Sequence, residues 1–401
     1  MAYDEAMTDR PVLRLLRHRD QRVRHGSPWV FSNQVEMTDD LKALAPGALV
    51  VVETADGRPR GVATFNPNAL ICARLHDPDP AAILDAAWFE RKLKAALRLR
   101  ERFFAKPLYR LVHAEADALP GFVADRYDGT VVVQANTAGA EALTPAFLAA
   151  LDRAVAPAAV VLRNNSSGRA LEGLAETTAV AKGAVGGPLI IEDRGAKFPV
   201  DVLKGQKTGW YLDLAEARGR VGRLAAKARM LDLCCNAGAF SIIAAKAGAA
   251  SVLGVDGSDL ALDLARQAAA LNGVAQRCEF VKDDVFAAAE KLARENRRFD
   301  LVVADPPSFV KSKKDIKKGG AAYKKLARLA ATVTAKHGFL FIASCSHNMS
   351  ADLFAAEVAA GLGQAGRTGR ILATGGAGPD HPVHPHLPET AYLKWQLMQI
   401  D

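Results

Sequence analysis

The rhythm of apolar and polar residues changes twice along this chain, and each regime predicts a different kind of element. From Val12 to about Leu75 the signal is short and strand-like: Val12–Leu16, the β-branched run Leu49–Thr54, Gly61–Phe65 and Leu70–Arg74, with Asp56-Gly57 as a hairpin turn. No long helical period interrupts it, which predicts a small β-barrel. From Pro80 to about Ala105, Ile83, Ala87, Leu93, Leu97 and Phe104 recur with Arg and Lys between them, as in an amphipathic helix. Strands follow around Leu108–His113 and Gly121–Ala135, the latter turning at Asp128-Gly129. A helix from about Glu141 to Val155 and a strand at Val160–Arg163 complete an α+β unit that ends near Gly186-Gly187-Pro188. Beyond Leu189, after a strand-rich lead-in, strands and helices alternate. The strands are Met230–Leu233, Val252–Asp256, Glu279–Val281, Leu301–Ala304 and Phe339–Ala343, and the clearest helix is Asp259–Leu271. Regular alternation predicts a parallel, doubly wound sheet, closed by Arg370–Ala373 and Lys394–Ile400. Three domains are expected, over residues 1–75, 76–187 and 188–401, behind a disordered leader of about ten residues.

Composition adds limits. Of 401 residues, 50% are hydrophobic and 24% charged, a globular balance with ample core. No apolar run approaches the ~18 residues of a membrane span, and no secretory signal is visible. Five cysteines (Cys72, Cys234, Cys235, Cys278, Cys345) without a paired CxxC spacing argue for reduced thiols in a cytoplasmic protein, not for zinc or disulfides. The net charge of +8 suits a polyanionic partner. The oligomeric state stays open, with a homodimer as one arrangement.

Met230 to Phe240 reads as strand, small-residue turn, helix. Gly238 lets the backbone approach a ligand, and Asp232 suits a cationic amino group. Asp256 ends the second strand, where ribose hydroxyls are held in such sheets; Asp283 or Asp284 follows the third, where an adenine amine can be read. A lone glycine does not make a G-x-G-x-x-G fingerprint, so a nucleoside cofactor is expected in place of a dinucleotide.

The fourth strand runs into Asp305-Pro306-Pro307-Ser308-Phe309, a rigid corner suited to a planar base edge, and the fifth into Ser344-Cys345-Ser346-His347. Carbon 5 of cytosine is a poor nucleophile until a thiolate adds at C6. It can then accept a methyl group from a sulfonium, provided an acid lies near N3 and a base removes the C5 proton. Cys345 is read as that thiol and Asp305 as the acid on the adjacent strand end. Burial as a small hydrophobe suits Cys72, Cys234 and Cys278 better.

These segments resemble the bacterial large-subunit rRNA cytosine-C5 methyltransferases with an N-terminal PUA domain. Val12 to Glu36 with Gly26, Trp29 and Phe31 is similar to the PUA opening. Leu162-Arg163-Asn164-Asn165 and Glu172-Gly173-Leu174 are similar to the middle-domain signature, and Gly205 to Asp213 to the lead-in that wraps the cofactor. The Asp305 and Cys345 segments resemble the family's motifs IV and VI, and Asp380-His381-Pro382 with Tyr392-Leu393-Lys394 its C-terminal strand pair. The resemblance implies a Rossmann-like class I methyltransferase sheet behind a PUA β-barrel and an α+β middle domain, S-adenosylmethionine (SAM) as cofactor, and ribosomal RNA as partner. It implies Cys345 as nucleophile, Asp305 on the base, and a SAM pocket drawn from Asp232, Cys235, Gly238, Phe240, Asp256, Ser258, Asp284, Asp305, Pro306 and Tyr211. The chain departs from the pattern twice. Leu214 to Arg218 replaces a Gln-Arg pair, and Pro307-Ser308 stands where two-cysteine RNA methyltransferases carry a second thiol.

Arg10, Arg14, Arg17, Arg19, Arg22 and Arg24, opposed locally by Asp20, can meet phosphates or form a solvated face. Lys311, Lys313, Lys314, Lys317 and Lys318 read as a mobile loop able to clamp RNA. Tyr323 either stacks on a base or fills a helix core. His381, His384 and His386 sit among prolines and read as a rigid loop, with no metal expected. Two rival readings remain: an N-methyltransferase using the Asp305-Pro306-Pro307 corner without a thiol, and a non-catalytic RNA-binding assembly factor.

Overall fold

The computed structural model describes residues 10–401, so most of the expected leader lies outside the described residues. Two compact units result: residues up to 187 with 201–210 and 379–388, and residues 188–200, 211–378 and 389–401.

In the first unit, β1 (Val12–Arg14), β2 (Trp29–Phe31), β3 (Ala48–Glu53), β4 (Pro59–Phe65) and β5 (Ile71–Asp77) pair in the order β1-β3-β4-β5-β2. The two edges meet at a Leu15–Val35 bridge, so the sheet closes on a core of Leu13, Val30, Val50, Phe65 and Cys72. Closure removes the exposed edges that a small open sheet would leave.

Helix α1 (Ala86–Phe103) starts where the Asp85 carboxylate accepts the Trp88 N–H at 2.8 Å. Its buried face is Trp88, Phe89, Leu93, Ala96 and Arg100; of the expected stripe, Leu93 is buried and Leu97 and Phe104 pack against the same core, whereas Ala87 is exposed and Ile83, ahead of the helix, is 63% exposed. The stripe is incomplete because a charged residue also occupies the core side: Arg100 is fully buried in a bidentate pair with Asp117. Strands β6 (Leu108–His113), β7 (Phe122–Tyr127), β8 (Thr130–Ala135), β9 (Ala159–Asn164) and β10 (Thr177–Lys182) form a second sheet in the order β10-β9-β8-β7-β6. Helix α2 (Ala138–Val155) makes the crossover between the parallel strands β8 and β9. Phe89, Phe122 and Phe147 meet at its centre, the last two stacked at 4.3 Å.

Two later segments complete this unit. The Thr208 hydroxyl donates to the buried Asp125, and Arg163 donates to the carbonyls of Val202 and Gly205. Asp380 accepts the Arg110 N–H at 2.9 Å and gives its own carbonyl to Arg100.

The second unit opens with a hairpin, β11 (Leu189–Asp193) and β12 (Ala196–Val200). A seven-stranded sheet follows, ordered β15-β14-β13-β16-β17-β19-β18. Its strands are β13 (Arg229–Leu233), β14 (Ser251–Asp256), β15 (Cys278–Lys282), β16 (Phe299–Ala304), β17 (Thr334–Ser344), β18 (Gly369–Gly375) and β19 (Lys394–Ile400). The first five are parallel and β19 is antiparallel to both neighbours. Helices α3 (Ala215–Gly222), α4 (Ala239–Lys246), α5 (Asp259–Leu271), α6 (Val285–Arg294), α7 (Ile316–Val333) and α8 (Ala351–Gln364) connect them. Strand order reverses between β13 and β16, which opens a crevice at the carboxyl ends.

The expected lysine loop is mostly helical. Lys313 and Lys314 lie in a one-turn 3-10 helix capped by Ser312 and Asp315, and Lys317 and Lys318 in the first turn of α7. Gly319-Gly320 hides the helical period there, because both pack as buried positions without side chains.

Candidate active site

The turn from β13 into α4 is held in an unusual backbone. Cys234, Asn236 and Gly238 all have positive φ (63°, 48° and 76°). Two non-glycine residues in this region store strain, a trait of binding loops. The loop is fixed by Asp256: one carboxylate oxygen accepts the Asn236 N–H at 2.9 Å and the other the Ser258 N–H at 2.9 Å. Ser258 in turn caps α5 through the Ala261 N–H.

Asp232 lies beneath that turn and is buried. Its Oδ2 accepts from the Ser241 N–H (3.1 Å) and hydroxyl (2.6 Å), while Oδ1 has no hydrogen-bond partner among the described residues. Burial is the main cause of a pKa pushed up to about 7. The Ser241 hydrogen bonds oppose the shift, and the charges of Asp305 and Asp256 add to it.

More acid surrounds this point. Burial and the charges of Asp305, Asp256, Asp232 and Asp284 hold the Cys234 thiol well above its ordinary range. Burial, then Asp305, Asp213, Cys345 and Asp256, push the Tyr211 hydroxyl up likewise. Tyr211 is anchored by Arg218, which donates to its carbonyl at 2.8 Å and to Asp193 at 2.8 Å. Asp284 is exposed and caps α6 through the Phe286 and Ala287 N–H groups. An acid-lined crevice with one unfilled buried oxygen fits a ligand carrying both a sulfonium and an ammonium.

Asp305 and Cys345 follow the ends of β16 and β17, which pair directly. The Ser344 and Ser346 side chains turn inward. Ser344 donates to the Tyr323 hydroxyl (2.8 Å), and the Ser346 hydroxyl lies 2.9 Å from both Tyr323 and Ser308 and accepts the Val310 N–H at 3.2 Å. With its neighbours directed inward, Cys345 is left half-buried. Lys394 Nζ donates to the carbonyls of Ser346 and Met349, each at 2.6 Å. The His347 ring stacks on Tyr392, whose hydroxyl donates to Asp213 at 2.6 Å.

Other sequence-predicted residues sit differently. The Cys235 thiol packs toward Gly254, and Phe240 is buried 5.2 Å from Phe341, so both side chains serve the core. Pro306 is buried beside Asp305. In the basic segment, Arg14 pairs with Glu53 at 2.9 Å and Arg24 with Asp20 and Asp56, so its opposition is wider than Asp20. Arg22 lies over the Phe31 ring, while Arg17, Lys311 and Lys313 are exposed. Tyr323 belongs to the helix core. His381 is buried with Nδ1 2.9 Å from Asp380. The lead-in is divided: Gly205 to Trp210 belongs to the first unit and Tyr211 to Asp213 to the second. The hydroxyl cluster, Lys394 and the Tyr392–Asp213 pair were not singled out for chemistry in the sequence. The inward alternation of Ser-Cys-Ser and one lysine heading an apolar strand were the available signals.

Residues 146–364 match the family of S-adenosylmethionine-dependent methyltransferases, and residues 13–77 match a PUA-like domain. The chain belongs to the S-adenosylmethionine-dependent methyltransferase family. Among its relatives, ribosomal RNA large subunit methyltransferase I of Cronobacter sakazakii is 35% identical over 389 residues, covering 95% of this chain and 97% of that one. The protein of the same name from Shewanella amazonensis is 36% identical over 387 residues, covering 95% and 97%. A solved Streptococcus mutans structure described as a SAM-dependent methyltransferase has the same fold, with a TM-score of 0.82 at 20% identity over 97% of this chain and 100% of that one. A methyltransferase complexed with SAH matches with TM-score 0.82 and 20% identity, over 97% and 99%.

Proposed function

We propose that this protein methylates C5 of a cytosine in large-subunit ribosomal RNA, in the cytoplasm, through a covalent adduct on Cys345. The observation that carries the reading is the half-buried thiol of Cys345 just past the end of β17, the strand paired with β16, which runs into Asp305. Relatives named for large-subunit rRNA methylation and the PUA-like segment support the RNA substrate.

In this reading Asp232 receives the amino group of SAM on its open Oδ1, Asp256 the ribose hydroxyls and Asp284 the adenine amine, with Tyr211, Pro306 and the Gly238 turn shaping the pocket. Bound there, SAM supplies an electrophilic sulfonium methyl group. Asp305, ionised in the free protein and protonated as the base docks, holds the cytosine edge and passes that proton to N3 as the Cys345 thiolate bonds to C6. The resulting enamine carbon, C5, takes the methyl group. Loss of the C5 proton to a base then restores the double bond and expels the thiolate, and N3 returns its proton to Asp305, leaving 5-methylcytosine. Arg17, Arg22, Lys311 and Lys313 are the cations assigned to phosphates, whereas Arg14 is engaged with Glu53.

The test is incubation with SAM and rRNA substituted with 5-fluorocytidine, in which no C5 proton is available to leave. A stable adduct mapped to Cys345 is expected, and Cys345→Ala should lower turnover by roughly 10³-fold or more. Retained turnover in that variant sinks the adduct and favours transfer to an exocyclic amine at the Asp305 corner.

A further inference from the structure

Lys394 opens the closing strand β19, opposite Ser344 in the antiparallel register. The residue is only 7% exposed, yet among the described residues it makes no ion pair with a carboxylate. Two of its three N–H donors go to the carbonyls of Ser346 and Met349, which bracket the turn just after Cys345. A buried ammonium held only by neutral carbonyls is costly, and a nearby anion removes much of that cost. Burial lowers the Lys394 pKa to about 8, and the charge of Cys345 acts in the opposite direction.

The groups around Cys345 come from several elements. Tyr211 precedes α3 and Tyr323 lies in α7; both are pushed up, mainly by burial, and stay neutral near pH 7. Asp305, from the end of β16, shares with Cys345 the neighbourhood of Tyr211 and opposes a second negative charge there. His347, on the same turn, is stacked on Tyr392. Lys394, from β19, supplies the opposing positive charge, and electrostatic coupling is mutual: what the thiolate does for the ammonium, the ammonium does for the thiolate.

We propose that Lys394 is a positioning residue that ties down the Cys345 turn and supplies the counter-charge holding Cys345 as a thiolate against Asp305. This rests on the reading of Cys345 as nucleophile. The turn is fixed through two carbonyls, which hold the cation next to it.

The experiment is alkylation of Cys345 by iodoacetamide, followed by peptide mass spectrometry from about pH 6 to pH 9. It compares the full chain with Lys394→Gln, Lys394→Met and Lys394→Arg, and SAM binding by calorimetry reports that each variant is folded. Gln and Met should raise the alkylation midpoint by about one pH unit, a roughly tenfold slower reaction near neutral pH, and Arg should restore it to within a few tenths. An unchanged midpoint in Gln, or an equal shift in Gln and Arg, overturns the proposal. Failure of the nucleophile reading shows elsewhere, as methylation by Cys345→Ala, because alkylation reads the thiol whether or not it attacks RNA.

Discussion

A buried carboxylate with one oxygen lacking a hydrogen-bond partner must stay protonated or receive a cation. Asp232 is in that position, with a pKa near 7 against an ordinary 3.8. In the free protein the unfolded chain ionises it first, so stability falls as pH rises from about 4 to about 7, by on the order of 4 kcal/mol at most. Asp232→Asn should therefore melt higher than the wild type at pH 8, with the advantage vanishing near pH 4. The same variant should bind SAM at least tenfold more weakly. Calorimetry below pH 7 should also show SAM binding releasing a proton, read as a dependence on buffer ionisation enthalpy. A flat difference in Tm across that range, or no proton release, would count against Asp232 as the ammonium acceptor. Residue by residue, the acids were legible because they fall at strand ends. Their division of labour was not, since Asp256 clamps a turn and Asp284 caps a helix through bonds to backbone N–H groups that sequence spacing does not encode.

At the scale of elements, the parallel strands were legible because strands buried on both faces read as continuous apolar runs. The helix Asp259–Leu271 and the strand Lys394–Ile400 follow their patterns to the residue. Strand β10 was missed because every residue in it is exposed, so no alternation marks it. The first turn of α7 was missed for its glycines, and one of them couples helix to corner. A Cβ on Gly319 would lie 2.4 Å from Val310 Cγ2 and 2.6 Å from the Phe309 carbonyl oxygen. Gly319→Ala should push the Asp305–Val310 segment away from Ser346, costing about 1–3 kcal/mol of stability. Turnover should fall roughly a hundredfold while SAM affinity changes little, since small misplacements at a reacting centre are expensive. Turnover within twofold of wild type would show that the corner tolerates movement. The hydroxyl cluster of Ser308, Tyr323, Ser344 and Ser346 was beyond sequence reasoning, because its members are serine and tyrosine positions brought together by three separate elements.

Over the whole molecule, the net charge of +8 is a statement about partners more than about fold. Arg14 and Arg24 are spent on ion pairs inside the barrel unit, whereas Lys311, Lys313 and Lys314 are exposed close in sequence to the Asp305 corner. Replacing those three lysines by Gln should flatten the salt dependence of rRNA binding by about 2 in slope, at about 0.7 per phosphate contact on single strands. SAM affinity should not change. An unaltered slope would return these lysines to the role of solvated surface.

The first unit is also finished late. Arg110 and Asp125 pair with each other early, but the buried Arg163 guanidinium finds its acceptors in Val202 and Gly205, and the Arg110 N–H and the Arg100 guanidinium find theirs in Asp380. During synthesis the Arg163 guanidinium waits for residues 202–205 and the Arg110 N–H for Asp380, so the first unit is completed only once residues 379–388 have been made. The gene is thus a poor candidate for being split at the Gly186-Gly187 boundary, however clean that boundary looks in sequence. A chain ended at Gly187 should be degraded or aggregate unless residues 201–210 and 379–388 are supplied in trans.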